Sequence, residues 1–196
     1  MFIVDIHGTI ILLVLILCCL ITFFVCKLKE CKYRFGFYLL LECYILLMIK
    51  VVIMPIFIMN SSTREEFFKH MEKSIVYNVQ IIPLRSFLNI LSVSSFSSMI
   101  QIVGNIILLM PIAFIVVWLI EGSRKWFVVG FGLLITILIE AVQYVINITT
   151  MYPCHAVDID DIILNYCGYL LAVMLIYQIK RNTPDIFFRV KKCFVK

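Results

Sequence analysis

Asp158-Ile159-Asp160-Asp161-Ile162-Ile163-Leu164-Asn165-Tyr166-Cys167-Gly168 is the stretch from which the fold can be read. Three carboxylates in four residues stand before an apolar segment, Ile162 to Ile179, that is long enough to cross a bilayer. A helix starting near Asp158 puts Asp161, Asn165 and Gly168 on one face, at i, i+4 and i+7. Acids near a helix N-terminus cap free N–H groups and meet the positive end of the dipole. That explains one or two of the carboxylates, and it explains poorly the polar Asn165 a full turn deeper.

Composition sets the class around this stretch. Of 196 residues 63% are apolar and only 15% charged, and the mean hydropathy is +1.08, values of an all-α, polytopic membrane protein and not of a water-soluble core. Five apolar runs are near the ~20 residues needed for a ~30 Å hydrocarbon layer. They are Ile6 to Cys26, Gly36 to Met59, Ser98 to Ile120, Trp126 to Ile148 and Ile162 to Ile179. The first has no positive region before it and no small-residue cleavage site after it, so it reads as a span and not as a leader. The eight cysteines form no CxxC pair and sit mostly within apolar runs, as small hydrophobes do.

Charge gives the orientation. Lys27, Lys29, Lys32, Arg34, Arg124, Lys125, Lys180, Arg181, Arg189, Lys191, Lys192 and Lys196 fall on one side of a five-span chain. Arg64, Lys69, Lys73 and Arg85 fall on the other, among Glu65, Glu66 and Glu72. The positive-inside rule then predicts an external N-terminus and an internal C-terminus. With basic residues confined to loops and tail, nucleic-acid binding has no support, whereas a membrane surface suits them.

This divides the chain into two spans over 1–60, an external loop over 61–97, three further spans to 179 and a basic tail over 180–196. In the loop, Ser62-Thr63-Arg64-Glu65 predicts a capping box opening a short helix to about Ser74. Pro83 biases Ile82 toward an extended conformation, so Asn78 to Arg85 is expected to be non-helical and to lie at the interface. In the tail Ile186, Phe187, Val190 and Phe194 recur at near-helical spacing among basic residues, as in an amphipathic helix on the inner leaflet.

Polar residues within the spans share one depth. Asn105 lies ~10 Å, and Lys50 ~12 Å, below the outer edge at 1.5 Å per residue, with Glu140 and Asn165 at similar levels. Isolated charges there cost about 2.5–3.5 kcal/mol or more, so Lys50 and Glu140 are expected to pair inside the bundle. Glu140, Gln143 and Asn147 recur at i, i+3 and i+7, a face expected to look at Asp161 and Asn165 and to close a wet cleft. Gly130 and Gly132 are expected to allow close helix packing, and Glu42 to reach the interface or pair with Arg34.

Three readings of that cleft stand side by side. The polar residues are interhelical glue, each worth about a kcal/mol. Or they bind the polar head group of a lipid or lipid-linked precursor, with Lys50, Arg85 or His155 supplying positive charge. Or they are catalytic: Asp158, Asp160 and Asp161 supply hard oxygen ligands for Mg²⁺, Mn²⁺ or Ca²⁺, with Glu140, Asp158 or Asp161 in acid–base roles. Residue spacing does not separate the last two. No nucleophile motif, phosphate loop or HExxH occurs.

Four pieces between Asn78 and Ile179 resemble, in order, the VanZ-like family, named for a teicoplanin-resistance membrane protein of Gram-positive bacteria. Gln80-Ile81-Ile82-Pro83-Leu84 is similar to its Asn-Leu-Ile-Pro-Phe pattern. Gly104-Asn105 through Pro111 resembles its Gly-Asn-x-x-Leu-x-x-Pro, Glu140 and Gln143 its Glu-x-x-Gln, and Asp158 through Asn165 its Asp-x-Asp-Asp-x-x-x-Asn. The chain departs from the pattern at Gln80, Leu84, Ala113 and His155, the last standing where an arginine is usual. Histidine is neutral for most of the range near pH 7, so an anion site there would be weaker or pH-dependent. The resemblance implies a bacterial cytoplasmic-membrane protein with a role in glycopeptide resistance, and it establishes no reaction.

Overall fold

The computed structural model describes residues 2–4, 8–28, 35–70, 75–76, 79–93, 96–119 and 125–184. The predicted amphipathic tail, the end of the loop helix at Ser74, and Arg34 lie outside them. In chain order the elements are β1 (Phe2–Val4), α1 (Gly8–Leu28), α2 (Phe35–Ile53), β2 (Ile56–Ile58), α3 (Ser61–His70), β3 (Val79–Gln80), α4 (Arg85–Val93), α5 (Phe96–Leu108), α6 (Met110–Leu119), α7 (Lys125–Thr150), β4 (Val157–Asp158) and α8 (Ile159–Asn182). They divide into two compact units, 4–55 with 179–196, and 1–3 with 56–178.

In the first unit α1 and α2 pack together, and the Thr22 hydroxyl donates to Glu42. Glu42 thus meets a threonine of the neighbouring helix, and Arg34, its expected partner, lies outside the described residues. The apolar run read as a span from Gly36 to Met59 is not one helix. Met54 makes the last helical bond, to the Lys50 carbonyl at 3.1 Å. Pro55 has no N–H to continue the ladder and disfavours helix at the residue before it, and the chain resumes as β2.

Among the described residues three helical stretches are long and apolar enough to cross a membrane: Met99–Val117 and Lys125–Thr150 in the second unit, and Ile159–Asn182, which lies in it as far as Gln178. The first comprises α5 and α6, separated at Leu109. Pro111 denies the Ile107 carbonyl its partner there, and the Ala113 N–H resumes the ladder onto Leu109 at 3.0 Å.

α7 is built for lipid on one side. Val128, Gly132, Thr136, Glu140 and Asn147 are buried, whereas Leu133, Leu134, Ile137, Leu138, Val142 and Val145 are exposed. Small and polar residues face inward while aliphatic ones face outward, the pattern of a helix solvated by hydrocarbon. Trp126, at the start of α7, is 86% exposed, as suits an aromatic anchor.

Glycine sets two of the helix approaches. A Cβ on Gly132 would strike the ring of Tyr169, whose hydroxyl donates to the Val128 carbonyl at 2.8 Å. On Gly168 it would strike the main chain of Ile106, so α8 rests backbone to backbone on α5. Gly130 has open space around it, contrary to the packing role expected of it.

Candidate functional site

Two short strands bring the sequence motifs together. β3 and β4 pair in parallel, Val79 with Val157 and Gln80 with Asp158. Beyond β3 the Gln80 side chain clamps Ile82, donating to its carbonyl at 2.5 Å and accepting its N–H at 3.1 Å. The Pro83 segment is non-helical, as predicted. α4 then begins at Arg85, a helix that the sequence pattern did not predict.

The three aspartates have three different tasks. Asp158 caps its own helix, accepting the Asp160 N–H at 2.9 Å. Asp160 caps another helix: its two oxygens take the N–H of Leu84 at 2.5 Å and of Phe87 at 3.1 Å, at the start of α4. This cap holds Leu84 in the left-handed region, φ 66°, which costs a non-glycine residue about 1–2 kcal/mol. Asp161 accepts from the side-chain amide of Asn105 on α5.

Glu140 reaches the same place from α7, where its Oε2 accepts the Asp158 N–H at 3.0 Å. The four acids are gathered closely enough that the charges of Asp158 and Asp161 act on Glu140, and those of Asp158 and Asp160 on Asp161. Glu140, Asp158 and Asp160 are 5%, 8% and 3% exposed. Asn165, a turn below Asp161 on α8, is 2% exposed. Arg85, by contrast, lies exposed in the first turn of α4, next to the Leu84 held by Asp160.

Other predicted site residues do something else or belong to the other unit. Asn147 is a clamp for the loop after α7: its amide donates to the His155 carbonyl at 2.8 Å, and its oxygen accepts the His155 N–H at 3.0 Å. His155 is thus positioned through its main chain. The face of α8 that carries Asp161 and Gly168 meets α5, where α7 was expected to provide the facing surface. Gln143 is half-buried on α7, and Lys50 belongs to the other unit, in the last turn of α2. Among the described residues no three His, Cys, Asp or Glu side chains are arranged to hold a metal ion.

Sequence reasoning missed the support around the loop. The Tyr152 ring lies tilted against Phe57 and Phe67, with centroids 5.3 Å and 5.1 Å away, and the Cys154 sulfur accepts the Phe57 N–H at 3.4 Å. Cys154 is therefore more than a small hydrophobe. The aromatic signal at Phe57, Phe67 and Tyr152 was visible in the chain, but only the fold brings it together.

Membrane-length helices with polar inner faces, and an acid-rich knot where two strands join them, define an integral membrane protein of helical class. The chain matches the VanZ/LLP1 family over residues 35–181 and belongs to that family. The match starts at the first residue of α2, earlier than the motifs from Asn78 onward had indicated, and leaves α1 outside. Comparisons with curated proteins and with solved structures gave no match.

Proposed function

We propose that this protein works at the outer face of a bacterial cytoplasmic membrane, where it binds an anionic head group of a lipid or lipid-linked envelope precursor and thereby lowers teicoplanin susceptibility. The supporting observation is the gathering of Glu140, from within α7, with Asp158 and Asp161 at the start of α8, while Arg85 lies exposed in the first turn of α4, next to the Leu84 that Asp160 holds. Charged groups held within a bundle are retained for a ligand more readily than for packing, because neutral residues would pack at lower cost. In this reading Arg85 meets the anionic oxygens by paired N–H donation, and the carboxylates orient the polar groups beside them. On the reading of five spans with an external N-terminus, this end lies outside, where a lipoglycopeptide acts.

The test uses a sensitive Gram-positive host expressing wild type, Glu140→Gln or Asp161→Asn at matched membrane levels. Protection by the wild type and its loss in both isosteric variants is the expected result. Protection that survives both variants removes the carboxylates from function. The purified full chain should also bind phosphatidylglycerol saturably, and turnover of a lipid-linked substrate in that preparation would replace the binding reading with an enzymatic one.

A further inference from the structure

One acceptor beside the carboxylates has nothing to accept. Asn165 is 2% exposed, and its Oδ1 is buried with no hydrogen-bond partner among the described residues. Helical Cα–Cβ bonds tilt toward the N-terminus, so this amide leans toward Asp161, one turn above it. The same stripe of α8 is fixed to α5 on both sides of Asn165, by the Asn105 amide at Asp161 and by the Ile106 main chain at Gly168. A buried carbonyl is ordinarily paired, and its pairing here calls for a donor that the described residues do not supply.

The neighbouring acids have acceptors to spare. Glu140, Asp158 and Asp161 each take one N–H through one oxygen, and the second oxygen of each, not among the buried atoms that lack a partner, is open to a further donor. Their charges repel one another. The vicinity therefore carries acceptors and negative charge in excess.

We infer that this site takes a primary ammonium group, the amine of a zwitterionic phospholipid head group, donating one N–H to Asn165 Oδ1 and the other two to open oxygens among Asp161, Asp158 and Glu140. An ammonium brings three donors, no acceptor and one positive charge. A divalent ion fits less well, because ligand distances of 2.0–2.6 Å draw its oxygens to a point. Here each carboxylate is tied to a different element: Glu140 to β4, Asp158 to the first turn of α8, Asp161 to α5. Donation over about 2.7–2.9 Å accepts a wider spread of oxygens. Asp160 takes no part, since both its oxygens hold the start of α4. The inference rests on the head-group reading above, with the phosphate of the same lipid toward Arg85.

The test compares phosphatidylethanolamine with phosphatidylcholine, which keeps the phosphate and the charge and has methyl groups in place of N–H. Binding to the purified full chain in detergent is followed by native mass spectrometry. Phosphatidylethanolamine should bind at least about tenfold more tightly, the worth of one charge-assisted bond. Asn165→Leu and the isosteric Asp161→Asn should each abolish that preference, and Asn165→Leu should not lower the melting temperature. Equal affinity for the two lipids, or a preference kept by both variants, overturns the inference. So does binding that disappears with EDTA, which assigns the site to a metal, or full competition by ethanolamine at the lipid's own concentration, which assigns it to a soluble amine. Phosphatidylglycerol bound without any amine preference removes this inference alone, whereas failure to bind any of the three lipids removes the head-group reading with it.

Discussion

Replacing Asp160 by alanine should loosen α4 more than any other part of the second unit. The carboxylate is 3% exposed and accepts two main-chain N–H groups, those of Leu84 and Phe87. Hydrogen bonds to a charged acceptor contribute about 1.5–3 kcal/mol each, but these share one group and do not add in full. Loss of the cap also releases Leu84 from its left-handed conformation, returning about 1–2 kcal/mol. Repulsion of Asp161 by Asp160 is relieved as well. The remainder is a destabilisation of about 2 kcal/mol, focused on residues 85–93. Exchange of amide hydrogens there should rise roughly 30-fold in the purified protein, while the α7 interior stays protected. Asp160→Asn removes the same charge and keeps one acceptor oxygen, so it should lie about midway. A variant Asp160→Ala with unchanged α4 exchange and a melting temperature equal to that of Asp160→Asn would refute the cross-chain cap.

Alanine at Gly168 should destabilise more than alanine at Gly132, because the first meets the main chain of Ile106 and the second a ring able to shift. At Gly130, where space is open, alanine should be neutral or stabilising by up to ~1 kcal/mol, and melting in detergent ranks all three. Tyr169→Phe should cost about 1 kcal/mol in the same assay by orphaning its bond to Val128. Asn147→Ala should cost about 1–3 kcal/mol and expose residues 151–156 to limited proteolysis. Asn147→Asp should be no better, because it keeps the acceptor for the His155 N–H but sets a carboxylate against the His155 carbonyl.

Periodicity and hydropathy made the last three spans legible, since long apolar runs leave little choice in a membrane. The second span was read too long because Pro55 lies inside an apolar run and hydropathy does not register a missing N–H. At α3 the cap is Asn60, whose side chain accepts the Thr63 N–H at 3.1 Å, so the helix starts ahead of the box read at Ser62. α4 escaped notice because its cap, Asp160, is supplied from the far end of the loop–helix region. The acidic triplet was legible as a cluster but not as a division of labour. A helix start explains Asp158, a distant helix explains Asp160, and only Asp161 turns to a polar partner within the bundle. Asn147 fell on the expected polar stripe, yet its role depends on how the following loop turns back, which spacing does not encode.

The pairing of Val79 with Val157 also constrains how the protein is made. Two segments hydrogen-bonded to each other must end on the same side of the bilayer, so the chain between them has to traverse it an even number of times. If α5 with α6 makes one passage and α7 the return, the count is two, and the break at Leu109 interrupts a single traverse without adding another. The ribosome delivers Gln80 long before Asp158, and in the interval Leu84 and Phe87 lack the carboxylate that orders them. Every contact that Asp158, Asp160 and Asp161 make with earlier residues therefore waits for the return through α7, so that a product truncated before them would retain its greasy segments and lose the polar contacts that join them there.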